Sequence, residues 1–258
     1  LDFKFTSPGP WASDEHSYVQ VRSSSTPMKD VVLESEKTAD KEVTLTTTNV
    51  RSMVIDGKAL SDKGIDTIIV DGDQKMVSGG DIEIGPTEGK TTGMNGTFNQ
   101  AFHKPFCFVY PEGDTAYRNY AAFLTSIWAY RGNGHACTMP LSRVTDDVRA
   151  DRNMIYLGVP FDRIPDSENL PFGWTESSVS VGDNTYQDSA GIFAFREGDR
   201  MAAAMVAADK AKVNLFGFQP FSSRSGMPDY LIFSNSGGQA LGFFDNQWEY
   251  DASLGQAR

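Results

Sequence analysis

The chain has 258 residues, enough for one large domain or two ordinary ones, and 40% of them are apolar, with 17 Phe and 4 Trp available for cores. Its 34 acidic residues outnumber 23 basic ones, and a formal charge of −11 repels the phosphate backbone, so nucleic acid is not an expected partner. No run reaches the about 18 apolar residues of a membrane helix, so no membrane span is expected. The abrupt start at Leu1-Asp2-Phe3, without a basic and apolar leader, reads as a cut inside a longer or processed polypeptide.

From residue 1 to 92 the pattern is β-like. Ser17–Ser23, Lys29–Ser35 and Lys41–Val50 alternate apolar and polar residues, as half-buried antiparallel strands do. Asp56-Gly57 and Asp71-Gly72 suit hairpin turns that need positive φ. No helical stretch stands out, and a small β-sandwich of six to eight strands is expected. Residues 93 to 104, rich in Gly, Thr and Asn, read as a linker.

Beyond the linker the grammar changes. PFCFVY, from Pro105 to Tyr110, is a continuous apolar run typical of a strand covered on both faces. Asp114 is a suitable N-cap for a helix whose stripe carries Tyr117, Tyr120, Ala121, Leu124, Ile127 and Trp128, with Gly132 as its C-cap. ACTMPL, DDVRAD and NMIYLGVP continue as strand, short helix and strand. A hairpin at Gly182-Asp183-Asn184 and the strand AGIFAFRE follow, and PDYLIFS and QALGFFDNQW add two more strands. MAAAMVAADKAK favours helix by propensity, although tertiary context can convert its first half to a strand. Residues 105–258 therefore read as a flavodoxin-like three-layer α/β domain with a mainly parallel sheet and a partly antiparallel extension.

Recognisable catalytic signatures fail one by one. No glycine is followed two positions later by serine, so the Gly-x-Ser-x-Gly elbow is missing. Gly132-Asn133-Gly134 has Cys137 where a dinucleotide fingerprint needs glycine. GPTEGKTT is one residue short of a P-loop and leads into no helix. His16, His103 and His135 show no zinc-ligand spacing, and neither a metal nor a cofactor is expected. Cys107 and Cys137 fall on adjacent parallel strands, which rarely hold disulfide geometry, so buried free thiols are favoured over a bridge, the open alternative. Ligand crevices of parallel sheets lie outside the C-terminal strand ends. Three loops meet there: Pro111–Asp114, Pro160–Arg163 and Ser222–Asp229. They offer Asp114, Asp162, Arg224 and Ser225 as candidate ligand-binding residues, with Asp114 also a plain helix cap and the last loop also a plain solvated one.

The order of elements resembles the region that follows the catalytic domain in large secreted bacterial hydrolases of the prolyl-oligopeptidase-like α/β-hydrolase group. The resemblance is carried by LDF, TTTNVRSMVID, TIIVDGDQ, NQAFHKPFCFVYPEGD, NYAAFLTSIWAYRGNGHACTMPLSRVT, NMIYLGVP, MPDYLIF and ALGFFDNQW, across nearly the whole chain. In that group the serine, acid and histidine belong to the preceding domain, so no catalytic residue transfers to a position here. The resemblance implies an exported accessory region made of a β-sandwich and a flavodoxin-like domain. The leading expectation is a secreted or periplasmic module that positions or stabilises a catalytic hydrolase domain or partner subunit, with carbohydrate or peptide as further contacts. It also implies that MAAAMVAA is a strand. Alternative readings are a stand-alone hydrolase, with carboxylates and Arg224 at the C-terminal sheet edge, and a flavin-binding protein.

Overall fold

A computed structural model describes residues 1–27, 29–91, 93–132, 134–219 and 227–257. The chain forms two compact units, Leu1–Asn95 and Gly96–Arg258.

The first unit contains β1 (Phe3–Ser7), β2 (Glu15–His16), β3 (Val19–Ser24), β4 (Val31–Ala39), β5 (Glu42–Thr48), β6 (Val50–Ile55), α1 (Gly57–Ser61), β7 (Thr67–Val70), β8 (Asp73–Met76) and β9 (Ile82–Ile84). They form a five-stranded sheet ordered β1-β4-β5-β7-β8 and a four-stranded sheet ordered β2-β3-β6-β9. Alternation along β3 and β4 buries Val19, Val21, Val31 and Leu33, and both sheets contribute to one core with Tyr18, Leu45, Met53 and Ile68. Asp71-Gly72 makes the expected hairpin, with both residues at positive φ between β7 and β8. Asp56-Gly57 does not. The Asp56 carboxylate accepts from the Ala59 amide at 2.8 Å and caps α1, which lies between β6 and β7 in the chain. β7 then pairs parallel to β5, not antiparallel.

The second unit contains β10 (Phe106–Tyr110), α2 (Thr115–Gly132), β11 (Cys137–Pro140), α3 (Asp146–Asp151), β12 (Asn153–Leu157), β13 (Phe172–Trp174), β14 (Ser178–Val181), β15 (Asn184–Gln187), β16 (Ala190–Glu197), β17 (Arg200–Ala207), α4 (Lys212–Phe216), β18 (Tyr230–Ser234), β19 (Gly237–Phe244) and β20 (Tyr250–Ala257). Its main sheet has eight strands in the order β11-β10-β12-β17-β16-β18-β19-β20. β13, β14 and β15 form a separate three-stranded antiparallel sheet, docked through Phe172 on Phe193 at 4.4 Å between ring centroids.

This architecture overturns the flavodoxin-like expectation of a three-layer domain with a mainly parallel sheet. Among the described residues of this sheet, only β11-β10, β10-β12 and β12-β17 pair parallel, whereas the pairings from β17 out to β20 are antiparallel. Among the described residues, no crossover helix follows β12. The chain instead builds the small sheet and returns through a tight β16–β17 hairpin at Gly198, which reverses strand direction. The Arg200–Ala207 segment is β17, against its helix propensity. Its six inner residues are buried between two hydrogen-bonded neighbours, a ladder that outweighs tenths of a kcal/mol of propensity per residue.

Two local expectations also change. The segment read as a linker carries a 3₁₀ turn over Phe98–Phe102, and Phe98 and Ala101 are fully buried. Cys107 and Cys137 are directly opposite in the β10–β11 register and form a disulfide, not free thiols. No helix among the described residues is long and apolar enough to cross a membrane.

Candidate functional site

In the chain, β10 leads through α2 to β11 on one side, whereas β12 leads away to strands on its other side. Adjacent parallel strands whose connections leave in opposite directions open a crevice beyond their C-terminal ends. A cleft of about 620 Å³ occupies that place, within the usual size range of small-ligand sites.

The floor is built by close approach. Gly158 follows β12 at φ +61°, and a Cβ there would sit 2.1 Å from the Tyr117 ring, so glycine is required. Tyr117 accepts a hydrogen bond from the Ala207 amide at 3.3 Å, which ties the start of α2 to the end of β17. Burial drives its phenol well above the ordinary value, even though the Ala207 bond pulls the other way. One cleft edge is the Pro111–Asp114 loop, where the Asp114 carboxylate accepts from the Tyr117 amide at 3.0 Å and caps α2.

The other walls come from distant sequence. Phe161 and Asp162 follow β12, Trp174 ends β13, and Glu176 lies just beyond. The Trp174 indole donates to the Val159 carbonyl at 2.9 Å and packs edge-on against Phe161 at 4.9 Å. Asp209 donates its amide to the Glu176 carbonyl at 2.9 Å, joining two walls. Lys212 is held 2.7 Å from the Asp209 carboxylate and 5.7 Å from the Tyr117 ring centre.

The structure thus brings Asp114 and Asp162 to one cleft, each from the loop that suggested it. Arg224 and Ser225 lie outside the described residues. Sequence reasoning missed Trp174, Glu176, Asp209 and Lys212, because nothing local places β13 or the turn after β17 beside the β12 end. A signal for the floor was present: Gly158 directly follows a fully apolar run, as a glycine of close approach does. Among the described residues, the cleft lining carries Glu112, Asp114, Asp162, Glu176 and Asp209 against one cation, Lys212. No group of three His, Cys, Asp or Glu among the described residues is placed to hold a metal.

No protein-family model matches the chain, and no curated protein matches it.

Proposed function

We propose that the chain is a non-catalytic accessory region of a secreted serine hydrolase, a peptidase or esterase, and that it holds ligand in the cleft beyond β10 and β12. The observation that carries this reading is the cleft's make-up. Carboxylates and aromatic rings sit on walls joined by hydrogen bonds, a lining suited to capture and orientation. The Cys107–Cys137 disulfide supports export, since such bridges persist in oxidising compartments. The resemblance to regions that follow hydrolase domains supplies the catalytic partner.

The test compares the hydrolase with and without this chain. Lower thermal stability or weaker substrate capture without it is the expected result, and equal stability and capture would refute the accessory role. A second reading, a stand-alone hydrolase, draws on Asp114 and Asp162 lining one cleft. Turnover of ester, peptide or glycoside by the purified chain, lost in Asp162→Asn, would favour it.

A further inference from the structure

Resting on the reading of the cleft as a ligand site, we infer that its ligand is the cationic side chain of a basic peptide, a guanidinium or ammonium group. The cavity, its charge and its aromatic wall each bear on the choice. Its place at the divergence of β10 and β12 marks it as a site before charge is considered. Among the described residues, five carboxylates line the cleft with one ammonium, and Lys212 is already engaged by Asp209. Among the described residues, Glu112, Asp162 and Glu176 form no ion pair.

The N-terminus of α2 opens on the same cleft and by itself attracts anions, but its dipole amounts to about half a positive charge. The carboxylates outweigh it several-fold, so an anion is repelled. A neutral polyol would leave that field uncompensated. A guanidinium or ammonium neutralises it and also gains from lying against Phe161 and Trp174, whose rings line the cleft. The volume admits one or two peptide residues.

The experiment titrates the purified chain with N-acetyl-arginine amide, its neutral isostere N-acetyl-citrulline amide, and cellotetraose, following backbone amides by NMR. Arginine amide is expected to shift Gly158, Glu176 and Asp209, to bind about tenfold or more tightly than citrulline amide, and to weaken at about 0.3 M salt. The pair Asp162→Asn and Glu176→Gln is expected to lower its affinity by about tenfold. Glu36→Gln with Asp73→Asn removes the same charge from exposed sites of the first unit and is expected to leave affinity within about twofold. Thermal unfolding of each variant verifies folding. Equal binding of the two amides, or equal loss from both charge pairs, overturns the inference. Cellotetraose shifting the cleft while arginine amide does not would also overturn it, yet keep a binding module. Silence of the cleft toward all three probes overturns it and removes the cleft from the proposed function, while the hydrolase comparison still judges the accessory role.

Discussion

The Tyr117 ring occupies the space that a side chain on Gly158 would fill, with ring carbons 2.1 Å from the position of the missing Cβ. That contact lets the end of β12 close onto the first turn of α2 and sets the floor of the cleft.

Gly158→Ala is therefore expected to destabilise the second unit by about 2–4 kcal/mol, combining a left-handed backbone with overpacking against a buried ring. Chemical denaturation measures it. Unchanged stability would mean that the ring moves aside freely.

Alkaline pH acts on the same unit. Burial raises the phenols of Tyr117, Tyr120 and Tyr156, and it pushes Tyr230 up to about 12. The folded state keeps these protons at pH values where the unfolded chain, titrating near 10, has released them. Stability is thus fully present below pH about 10 and falls as pH rises above it. Tyr230→Phe is expected to lessen that fall by about one proton, read from denaturation midpoints between pH about 9 and 11.

Outside the cleft lining, the Tyr156 hydroxyl donates to the Glu197 carboxylate at 2.7 Å, and Arg149 donates to both groups. Tyr156→Phe leaves the ion pair and is expected to cost about 1–2 kcal/mol. Glu197→Ala strands a partly buried guanidinium and is expected to cost more, about 3 kcal/mol. A reversed order of the two losses, in denaturant titrations, would contradict this picture.

The Cys107–Cys137 bridge closes a loop with a sequence separation of 30 and ties edge strand β11 to buried β10. Cys137→Ser is expected to lower stability by about 3–4 kcal/mol. Adding reductant should reproduce that loss in the parent chain and leave the variant unchanged.

Legibility in the sequence followed the reach of each signal. PFCFVY and NMIYLGVP announced buried parallel strands because consecutive apolar residues need cover on both faces. The loops after them, with Asp114 and Asp162, were legible as cleft edges for the same reason. Met201–Ala207 was ambiguous: alanine and methionine favour helix, and only neighbours β12 and β16 make this segment a central strand. The sheet's antiparallel half was hidden in topology, since the hairpin at Gly198 fixes strand direction without altering hydrophobic pattern. Trp174 and Glu176 reach the cleft only through docking of the small sheet, a contact between Phe172 and Phe193 that local patterning does not encode.

Capture without chemistry is what the cleft is held to perform, and equilibrium dialysis of the chain against a mixture of basic peptides, read by mass spectrometry, reports both at once. Retained peptides of unchanged mass, released by Asp162→Asn with Glu176→Gln, are the expected outcome of capture without chemistry. Cleaved peptides, or retention indifferent to those substitutions, would contradict it.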